Sequence, residues 1–446
     1  MVRKRFIIAA IVLMAAQAAF VFAGGQQSSA KTGGSGEGGS SSKIDLGGVN
    51  VVLGFDNVNR NYDTNTYVSA SAYGDKLLAY RRQIQRDYNF TFKEDTLYHW
   101  DYYGSQWNAA MVAGKPLSEI FYFQGEFPAW YQNGWLAPMP ASIDFYKSVN
   151  GLSWSPQVAK ALTWGGKTYG FAVNPGTSYR NPGIMFNKRL LKEAGYDPDY
   201  PYDLQKAGTW TWEKFAEICK KVTQDKNNDG KIDIYGHAGL DITAVVTSNG
   251  GQYIDFDTAT GKFVNATTRP EWAEAFNYNK SLDPYKGGSF EQGTAVFRDR
   301  NEESLNRADS QYLSFADDWG WVVYPKGPRV DDYLVYARDD VYCIPSTFSA
   351  SDVEKFMTAL QLWMTPPPEA GVDGWKQDQY RWYRDERAVN ETLAIMRNPK
   401  NCVFPIIYLT ELSENDPRGD TAQQQIESVQ APWAAKLAEY NAIIGK

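Results

Sequence analysis

Apolar runs of strand length alternate with longer amphipathic stretches in the first part of the chain. Strand-like runs occupy residues 49–55, 90–93 and 117–123, and helix-like stretches occupy 68–87, 106–113 and 127–133. This alternation predicts an α/β fold with mostly parallel sheets flanked by helices. Ligands of such sheets bind beyond the carboxyl ends of the strands, which directs attention to the loops at 56–60, 99–103 and 124–126.

The chain has 446 residues, which is too long for one hydrophobic core and indicates two lobes. Two strand-like runs, 167–173 and 184–187, flank a segment rich in Pro, Gly and Asn that suits a connection between lobes. Further strands are expected at 293–297, 319–323 and 341–344. Further helices are expected at 188–194, 211–223, 269–282, 352–364, 382–396 and 421–444.

The N-terminal segment has the pattern of an export signal. Arg3, Lys4 and Arg5 precede an apolar run that ends in small residues near Ala23, so we expect a signal peptide over residues 1–23, cleaved after Ala23. An uncleaved membrane anchor is the alternative. Residues 24–43 are rich in Gly and Ser and are expected to form a flexible leader. No cysteine stands directly after the apolar run to carry a lipid, so we expect a periplasmic protein without a lipid anchor.

Charge and composition exclude several classes of function. Loss of the signal segment takes the formal charge from −7 to −10, which argues against nucleic acid or an anionic membrane as partner. The two histidines, His99 and His237, leave little room for a multi-histidine metal site. The three cysteines, Cys219, Cys343 and Cys402, lie in apolar stretches, where buried free thiols are expected. One disulfide between two of them is the alternative.

Residues 225–233 match the first nine positions of an EF-hand calcium loop. Oxygen ligands at positions 1, 3 and 5, a glycine at position 6 and a carboxylate at position 9 meet the needs of Ca²⁺, but Gly236 stands where the last glutamate is required. A self-satisfied turn is the alternative. No cofactor is required. A structural calcium ion could be held by Asp225, Asn227, Asp229, Lys231 and Asp233.

Six segments in order resemble the family 1 extracellular solute-binding proteins, the sugar and oligosaccharide receptors of ABC importers. They span most of residues 49–365 and are GEFPAWYQNGWLAPMP (125–140), GKTYGFAV with GIMFNKRLLKEAGYDP (166–198), TWTWEKFAEICKKVTQDKNNDGKIDIYG (209–236), SNGGQYID (248–255), WGWVVYPKGP (319–328) and CIPS (343–346). Relatives often carry a tryptophan soon after the equivalent of GTAVF. Here Arg298, Asp299 and Arg300 follow that motif, which puts a stacking platform there in doubt.

The resemblance implies a two-lobed periplasmic-binding-protein-like fold with lobes joined by crossing strands. We expect an N-terminal lobe from residues 44–175 and 335–370 and a C-terminal lobe from 176–334 and 371–446. The implied partners are a small-molecule ligand, most simply a sugar, and the membrane permease of an ABC transporter. The protein is expected to act as a monomer and not as an enzyme.

A sugar receptor pairs hydrogen-bonding side chains with aromatic rings, because a sugar offers hydroxyl arrays and apolar ring faces. Strand-end loops and linkers supply the candidate ligand-binding residues Asp56, Asn57, Trp100, Asp101, Gln124, Glu126, Tyr179, Arg180, Asn249, Asp318, Trp319 and Arg338. The adjacent acidic pairs Glu302–Glu303 and Asp317–Asp318 are expected on solvated faces.

Two other classes of function stay open. A secreted carbohydrate-active hydrolase would also be acidic and rich in aromatic residues, but it needs two carboxylates across a glycosidic bond, and no such pair can be placed. An adhesin-like surface protein would bind without lobe closure.

Overall fold

A computed structural model describes residues 44–56, 71–123, 125–148, 152–173, 181–306, 310–337, 340–370, 374–413 and 416–444. The predicted signal segment and leader lie outside these residues. The strands are β1 Val49–Phe55, β2 Phe90–Thr96, β3 Ile120–Tyr122, β4 Thr163–Trp164, β5 Lys167–Thr168, β6 Phe171–Ala172, β7 Pro182–Asn187, β8 Tyr235–His237, β9 Ile254–Asp257, β10 Lys262–Asn265, β11 Ala295–Asn301, β12 Trp319–Val322, β13 Val335–Tyr336, β14 Val341–Cys343 and β15 Cys402–Val403.

The α-helices are α1 Ala72–Asp87, α2 Trp100–Val112, α3 Phe127–Gln132, α4 Pro156–Ala161, α5 Lys188–Glu193, α6 Tyr200–Lys206, α7 Trp212–Val222, α8 Ile242–Ser248, α9 Pro270–Ser281, α10 Glu302–Leu305, α11 Ala350–Met364, α12 Lys376–Gln379, α13 Leu393–Met396 and α14 Ala422–Ile444. Short 3-10 turns lie at Asp283–Tyr285, Gln311–Leu313, Pro368–Ala370 and Ile406–Leu409, and a π-helical turn at Ala388–Thr392.

Two sheets organise the chain, as the predicted α/β class requires. The first has the order β2-β1-β3-β14-β6 and the second the order β12-β7-β11-β8. β1 is parallel to β2 and β3, whereas β14 is antiparallel to β3 and β6. In the second sheet β7 is antiparallel to both of its neighbours, and only β11 and β8 are parallel. Pairing is therefore mixed, whereas mostly parallel sheets were predicted, because β7 and β14, the strands that follow a crossing between the sheets, run opposite to their neighbours.

Aromatic side chains pack helices onto both sheets. In the first sheet the Trp107 ring of α2 stacks on Phe121 of β3 with centroids 4.1 Å apart. In the second sheet Trp210, just before α7, contacts Phe297 of β11, and the apolar stripe of α7 is buried. This stripe and the Thr211 side chain, which accepts a hydrogen bond from the Lys214 amide, explain why the sequence predicted this helix to within a residue.

The helix predicted at 382–396 begins later than expected. Residues 380–385 form turns, and the chain becomes helical only from residue 386, with a π-helical turn before α13. Tertiary contacts override helical propensity here, because the Arg384 guanidinium donates to the carbonyls of Asp317 and Leu313, and Asp385 pairs with Lys188 at 2.9 Å.

The C-terminal part of the chain contacts elements that belong to both sheets. α12 packs against α1, which lies beside β2 of the first sheet, and the π-helical turn Ala388–Thr392 contacts β12 of the second sheet. α14 packs against α3 and against β10. The Phe404 amide donates to Gln157 Oε1 at 2.7 Å. The lobe boundaries predicted from the sequence stay a prediction. Within the described residues, no helix combines the length and the apolar character needed to cross a membrane.

Candidate functional site

The chain connections identify the edges of the two sheets that carry a site. The chain leaves the first sheet after β6 and enters the second at β7; it leaves the second after β12 and returns at β14. Ala172 of β6 lies opposite Val341 of β14, and the Phe123 amide after β3 donates to the Val341 carbonyl at 2.7 Å. Both connections therefore join the first sheet at the edge where β1 and β3 end.

The second sheet is joined at one edge as well. Pro182 of β7 lies opposite Asn301 of β11, and Val322 of β12 lies opposite Ile184. The start of β7 therefore adjoins the ends of β11 and β12. We call these two strand-end edges the first edge and the second edge. Ligands of open α/β sheets bind beyond carboxyl strand ends, so side chains at these edges are the candidates for a ligand site.

The first edge carries buried carboxylates. Asp56, predicted to bind ligand, follows β1, and Asp340 precedes β14; both are almost fully buried. Because β14 is antiparallel to β3, its first residue lies at the edge where β1 and β3 end. The two aspartates therefore lie at the same edge. Asp340 was not among the predicted residues.

Exposed aromatic rings surround the start of α2, beyond the end of β2. Trp100, predicted to bind ligand, has 61% of its surface exposed, and Tyr102 has 63%. His99 Nδ1 accepts a hydrogen bond from the Asp101 amide at 3.4 Å and lies 3.2 Å from the Asp101 carboxylate. Large rings are usually covered in a folded protein, so these two are available to an apolar ligand face.

Glu126, the predicted ligand residue before α3, is held by protein groups. Its carboxylate lies 3.1 Å from Lys436 Nζ of α14, and Lys436 also lies 3.1 Å from Glu411. Burial, together with the neighbouring Glu411, raises the pKa of Glu126 above its ordinary value. The structure therefore places Glu126 in a contact between the first edge and the C-terminal helix. A ligand contact for Glu126 stays a prediction.

The second edge carries a connected group of polar residues, which we call the acceptor cluster. Asn181 Nδ2 donates to Glu302 Oε1 at 3.4 Å, and Glu302 Oε2 lies 3.2 Å from Arg397. The Arg397 guanidinium lies 4.1 Å from the centre of the Trp375 ring. Asn306, at the end of α10, donates its Nδ2 to Gln379 Oε1 at 3.1 Å. The acceptor cluster consists of Asn181, Glu302, Asn306, Trp375, Gln379 and Arg397.

The acceptor cluster corrects one sequence-based expectation. Glu302 was expected on a solvated face, but it is 1% exposed. Burial raises its pKa, and the opposing attraction of Arg397 limits that rise. Glu302 begins α10 directly after β11. The strand end after GTAVF was the signal in the sequence, and Asn181 adjoins the predicted residue Arg180, but nothing in the sequence pairs Glu302 with the distant Arg397.

A second carboxylate group lies at the same edge. The Tyr324 hydroxyl, after β12, donates to Asp299 Oδ1 at 2.5 Å and accepts from the Asp241 amide at 2.9 Å. Burial and the nearby Asp241 raise the pKa of Asp299 to about 7. A carboxyl group with such a pKa at a strand-end edge is a typical feature of a functional site.

Two further predicted residues, Asn249 and Trp319, lie in protein contacts. Asn249 is fully buried; its Nδ2 donates to the Glu271 carbonyl and to Glu274, and its Oδ1 accepts from the Arg329 amide. Trp319 is buried, and its ring nitrogen donates to the Tyr312 carbonyl at 3.1 Å.

Asp318 is exposed, but it precedes β12. Since β12 is antiparallel to β7, Asp318 and Trp319 lie at the end of the sheet opposite to the second edge. In this structure a ligand at the second edge would not reach them, and Trp319 has no exposed face for stacking.

The loop at 225–233 satisfies its own backbone. Asp225 accepts hydrogen bonds from the amides of Asp229 and Gly230, and Asp233 accepts from the Lys226 amide at 2.7 Å. These are the contacts of an Asx-rich turn. Within the described part of the chain, no group of three or more His, Cys, Asp or Glu side chains is placed to hold a metal ion. A calcium ion in this loop stays a prediction.

The remaining predicted ligand residues, Asn57, Gln124, Tyr179, Arg180 and Arg338, lie outside the described residues. The three cysteines are buried. Among the predicted residues that the structure describes, Asp56, Trp100, Asp101 and Glu126 come together along the first edge, whereas Asn249, Asp318 and Trp319 lie elsewhere.

Two α/β lobes joined by chain connections at their strand-end edges, with polar and aromatic side chains at those edges, define a binding protein of the periplasmic type. The chain belongs to the family described as bacterial extracellular solute-binding protein, whose profile matches residues 79–360. No curated protein sequence matches this chain.

Solved structures of similar fold include UspC of M. tuberculosis, which is 16% identical with a TM-score of 0.54 and covers 88% of this chain and 100% of its own. The cyclic alpha-maltosyl-1,6-maltose binding protein from Arthrobacter globiformis is 17% identical with a TM-score of 0.53, covering 89% and 99%. The maltose-binding periplasmic protein from Listeria monocytogenes, in complex with maltose, is 12% identical with a TM-score of 0.51, covering 87% and 99%. At these identities the likeness shows the fold.

Proposed function

We propose that this protein captures a sugar or oligosaccharide between its two lobes, outside the cytoplasmic membrane, and delivers it to the permease of an ABC transporter. The observation that carries the proposal is the convergence of both chain connections on strand-end edges lined with polar side chains and, at α2, exposed aromatic rings. This combination of hydrogen-bonding groups and flat apolar faces suits a sugar. Similar folds that bind maltose and a cyclic maltosyl-maltose support the choice of ligand.

The proposal extends to location, assembly and mechanism. The mature protein is periplasmic, monomeric and without a lipid anchor, and it binds its ligand without converting it. Closure of the lobes signals loading to the permease, because a ligand shifts the equilibrium toward the closed form only if it binds that form better.

A thermal-shift screen tests ligand capture. Purified protein is heated with maltose, mannobiose, a cyclic maltosyl-maltose and single sugars, and a ligand that binds only the folded state raises the melting temperature. Hits are then titrated by calorimetry and analysed by chromatography after overnight incubation. Saturable binding with the sugar recovered intact supports the proposal, whereas cleavage products would establish a hydrolase instead. Small-angle scattering should show a more compact particle with ligand than without it.

A further inference from the structure

We infer that the acceptor cluster selects an uncharged ligand by accepting hydrogen bonds from its hydroxyl groups, with Asn181 Oδ1 as the specificity-determining acceptor. This inference rests on the proposed function, because it assigns ligand chemistry to the second edge of the same site. None of the predicted ligand residues that the structure describes belongs to the acceptor cluster.

The orientation of the Asn181 amide is fixed by its neighbour. Glu302 presents one carboxylate oxygen to Arg397 and the other to Asn181. A carboxylate paired with a guanidinium accepts hydrogen bonds and donates none, so the amide must turn its Nδ2 toward Glu302. The Asn181 Oδ1 atom is therefore left facing away from Glu302, as an acceptor.

This acceptor oxygen is unsatisfied. Asn181 is 6% exposed, and its Oδ1 atom has no hydrogen-bond partner among the described residues. The Oδ1 atom of Asn306 is also buried and also has no hydrogen-bond partner among the described residues. Asn306 belongs to the same cluster, because its backbone N–H donates to the backbone carbonyl of Glu302 at 2.8 Å. A buried acceptor without a donor costs free energy, so two of them beside a chain crossing indicate a place where a ligand supplies the donors.

The charges of the acceptor cluster oppose an anionic ligand. Its cation, Arg397, lies 3.2 Å from the Glu302 carboxylate and is stacked on Trp375. Of the neighbouring arginines on β11, Arg300 contacts Tyr312 and Glu291, and Arg298 contacts Glu291. A ligand carboxylate would meet the two amide oxygens and find these cations already engaged. A hydroxyl group donates to the same oxygens without an electrostatic penalty.

The experiment compares neutral with acidic sugars on wild-type protein and on three variants. The neutral probes are maltose and mannobiose, and the acidic probes are glucuronic acid and a galacturonic acid disaccharide. The variants are Asn181→Ala, Asn306→Ala and the control Asn277→Ala, whose side chain is exposed in the middle of α9. Affinities come from calorimetry, and urea unfolding of each variant reports whether it is folded. If Asn181→Ala does not fold, Asn306→Ala carries the test.

We expect a neutral sugar to bind the wild type and to lose about tenfold in affinity on each acceptor substitution, the loss of one buried hydrogen bond, with no loss in the control. Tighter binding of an acidic sugar than of a neutral one would overturn the inference. Equal affinities of the folded acceptor variants and Asn277→Ala would overturn it too, while leaving sugar capture standing. If none of these sugars binds the wild type, sugar capture itself fails for these probes and the inference falls with it.

Discussion

Asp299 is a carboxyl group at the second edge whose pKa lies within the range of ordinary buffers. Burial and the charge of Asp241 raise its pKa to about 7 in the folded protein, from an ordinary value of 3.8. A raised pKa of an acid means that ionisation is harder in the folded state. The folded protein therefore loses stability as the pH rises from about 4 to about 7, and the loss is complete above pH 7.

Replacing Asp299 by Asn should remove this pH dependence. The Asn side chain keeps the acceptor for the Tyr324 hydroxyl but cannot ionise. We expect Asp299→Asn to be more stable than the wild type at pH 8, by about 1–3 kcal/mol, and equal to it near pH 4. Urea unfolding at both pH values measures the difference. An Asp299→Asn variant whose advantage is the same at pH 4 and pH 8 would show that ionisation is not the cause.

Trp100 gives a prediction about the first edge. Its exposed ring lies beyond the end of β2, where it can stack on an apolar sugar face. We expect Trp100→Ala to weaken binding of the sugar found in the thermal-shift screen by about tenfold and to leave the unfolding free energy almost unchanged. Val112→Ala is the control, because Val112 is also exposed but lies at the opposite end of α2 from Trp100. Equal affinities of the two variants would remove Trp100 from the site.

Single residues of the site were predictable only where they directly follow a strand. Asp56 and Trp100 lie at the first edge because an apolar run ends shortly before each of them. Trp319 and Asn249 carry the same residue types, but their surroundings are set by β7 and α9, which are distant in the sequence. Glu302 and Asn181 come together only through strand pairing of β11 with β7. Pairing partners of that kind cannot be deduced from one sequence.

At the scale of elements, helices with a cap and an apolar stripe were predicted well, and short or contact-dependent elements were not. α7 and α9 agree with the sequence to within a residue at each end, because a cap or a proline at the first turn marks where each begins. The helix α6, the helix α8 and the hairpin of β9 and β10 were missed. They are only a few residues long, so periodicity has too few positions to register.

A buried ion pair joins three elements at the first sheet: α1, β2 and α11. Arg81 of α1 lies 3.6 Å from Glu94 of β2, and the Trp363 ring nitrogen of α11 donates to Glu94 at 2.6 Å. The Arg81 guanidinium also stacks on the Trp363 ring at 4.0 Å. Burial of both charges makes their mutual compensation necessary, since each alone would be costly to remove from water.

Glu94→Gln should therefore destabilise the protein strongly. The glutamine keeps the acceptor for Trp363 but removes the negative charge that compensates Arg81, so we expect a loss of about 3 kcal/mol in the free energy of unfolding. Asp95→Asn is the matched control, because Asp95 pairs with Lys93 on the surface and should cost less than about 1 kcal/mol. Urea unfolding at pH 7 compares them. Similar losses for both would show that the buried charge of Glu94 is dispensable.

At the scale of the whole molecule, the C-terminal helix α14 packs against elements that are far apart in the sequence, among them α3, α9 and β10. α14 buries Val429, Trp433 and Tyr440, and Lys436 on the same helix contacts Glu126 beside the first edge. Burial alone would lower the pKa of Lys436, but hydrogen bonds to Glu126 and Glu411 outweigh it and raise that pKa. The sequence predicted the helix but not this role, because Glu126 and Lys436 are far apart in the chain.

Lys436→Met tests this connection. Without the ammonium group, Glu126 and Glu411 face each other with less compensation, and their ionisation becomes harder in the folded state than in the unfolded one. The variant should lose about 1 kcal/mol at pH 7, and the loss should shrink as the pH falls through the ordinary glutamate pKa of 4.5. Lys115→Met, at an exposed position after α2, should show no such change between pH 7 and pH 4. A loss for Lys436→Met that persists unchanged at pH 4 would mean that packing of the lysine stem, rather than its charge, holds α14 against the first edge.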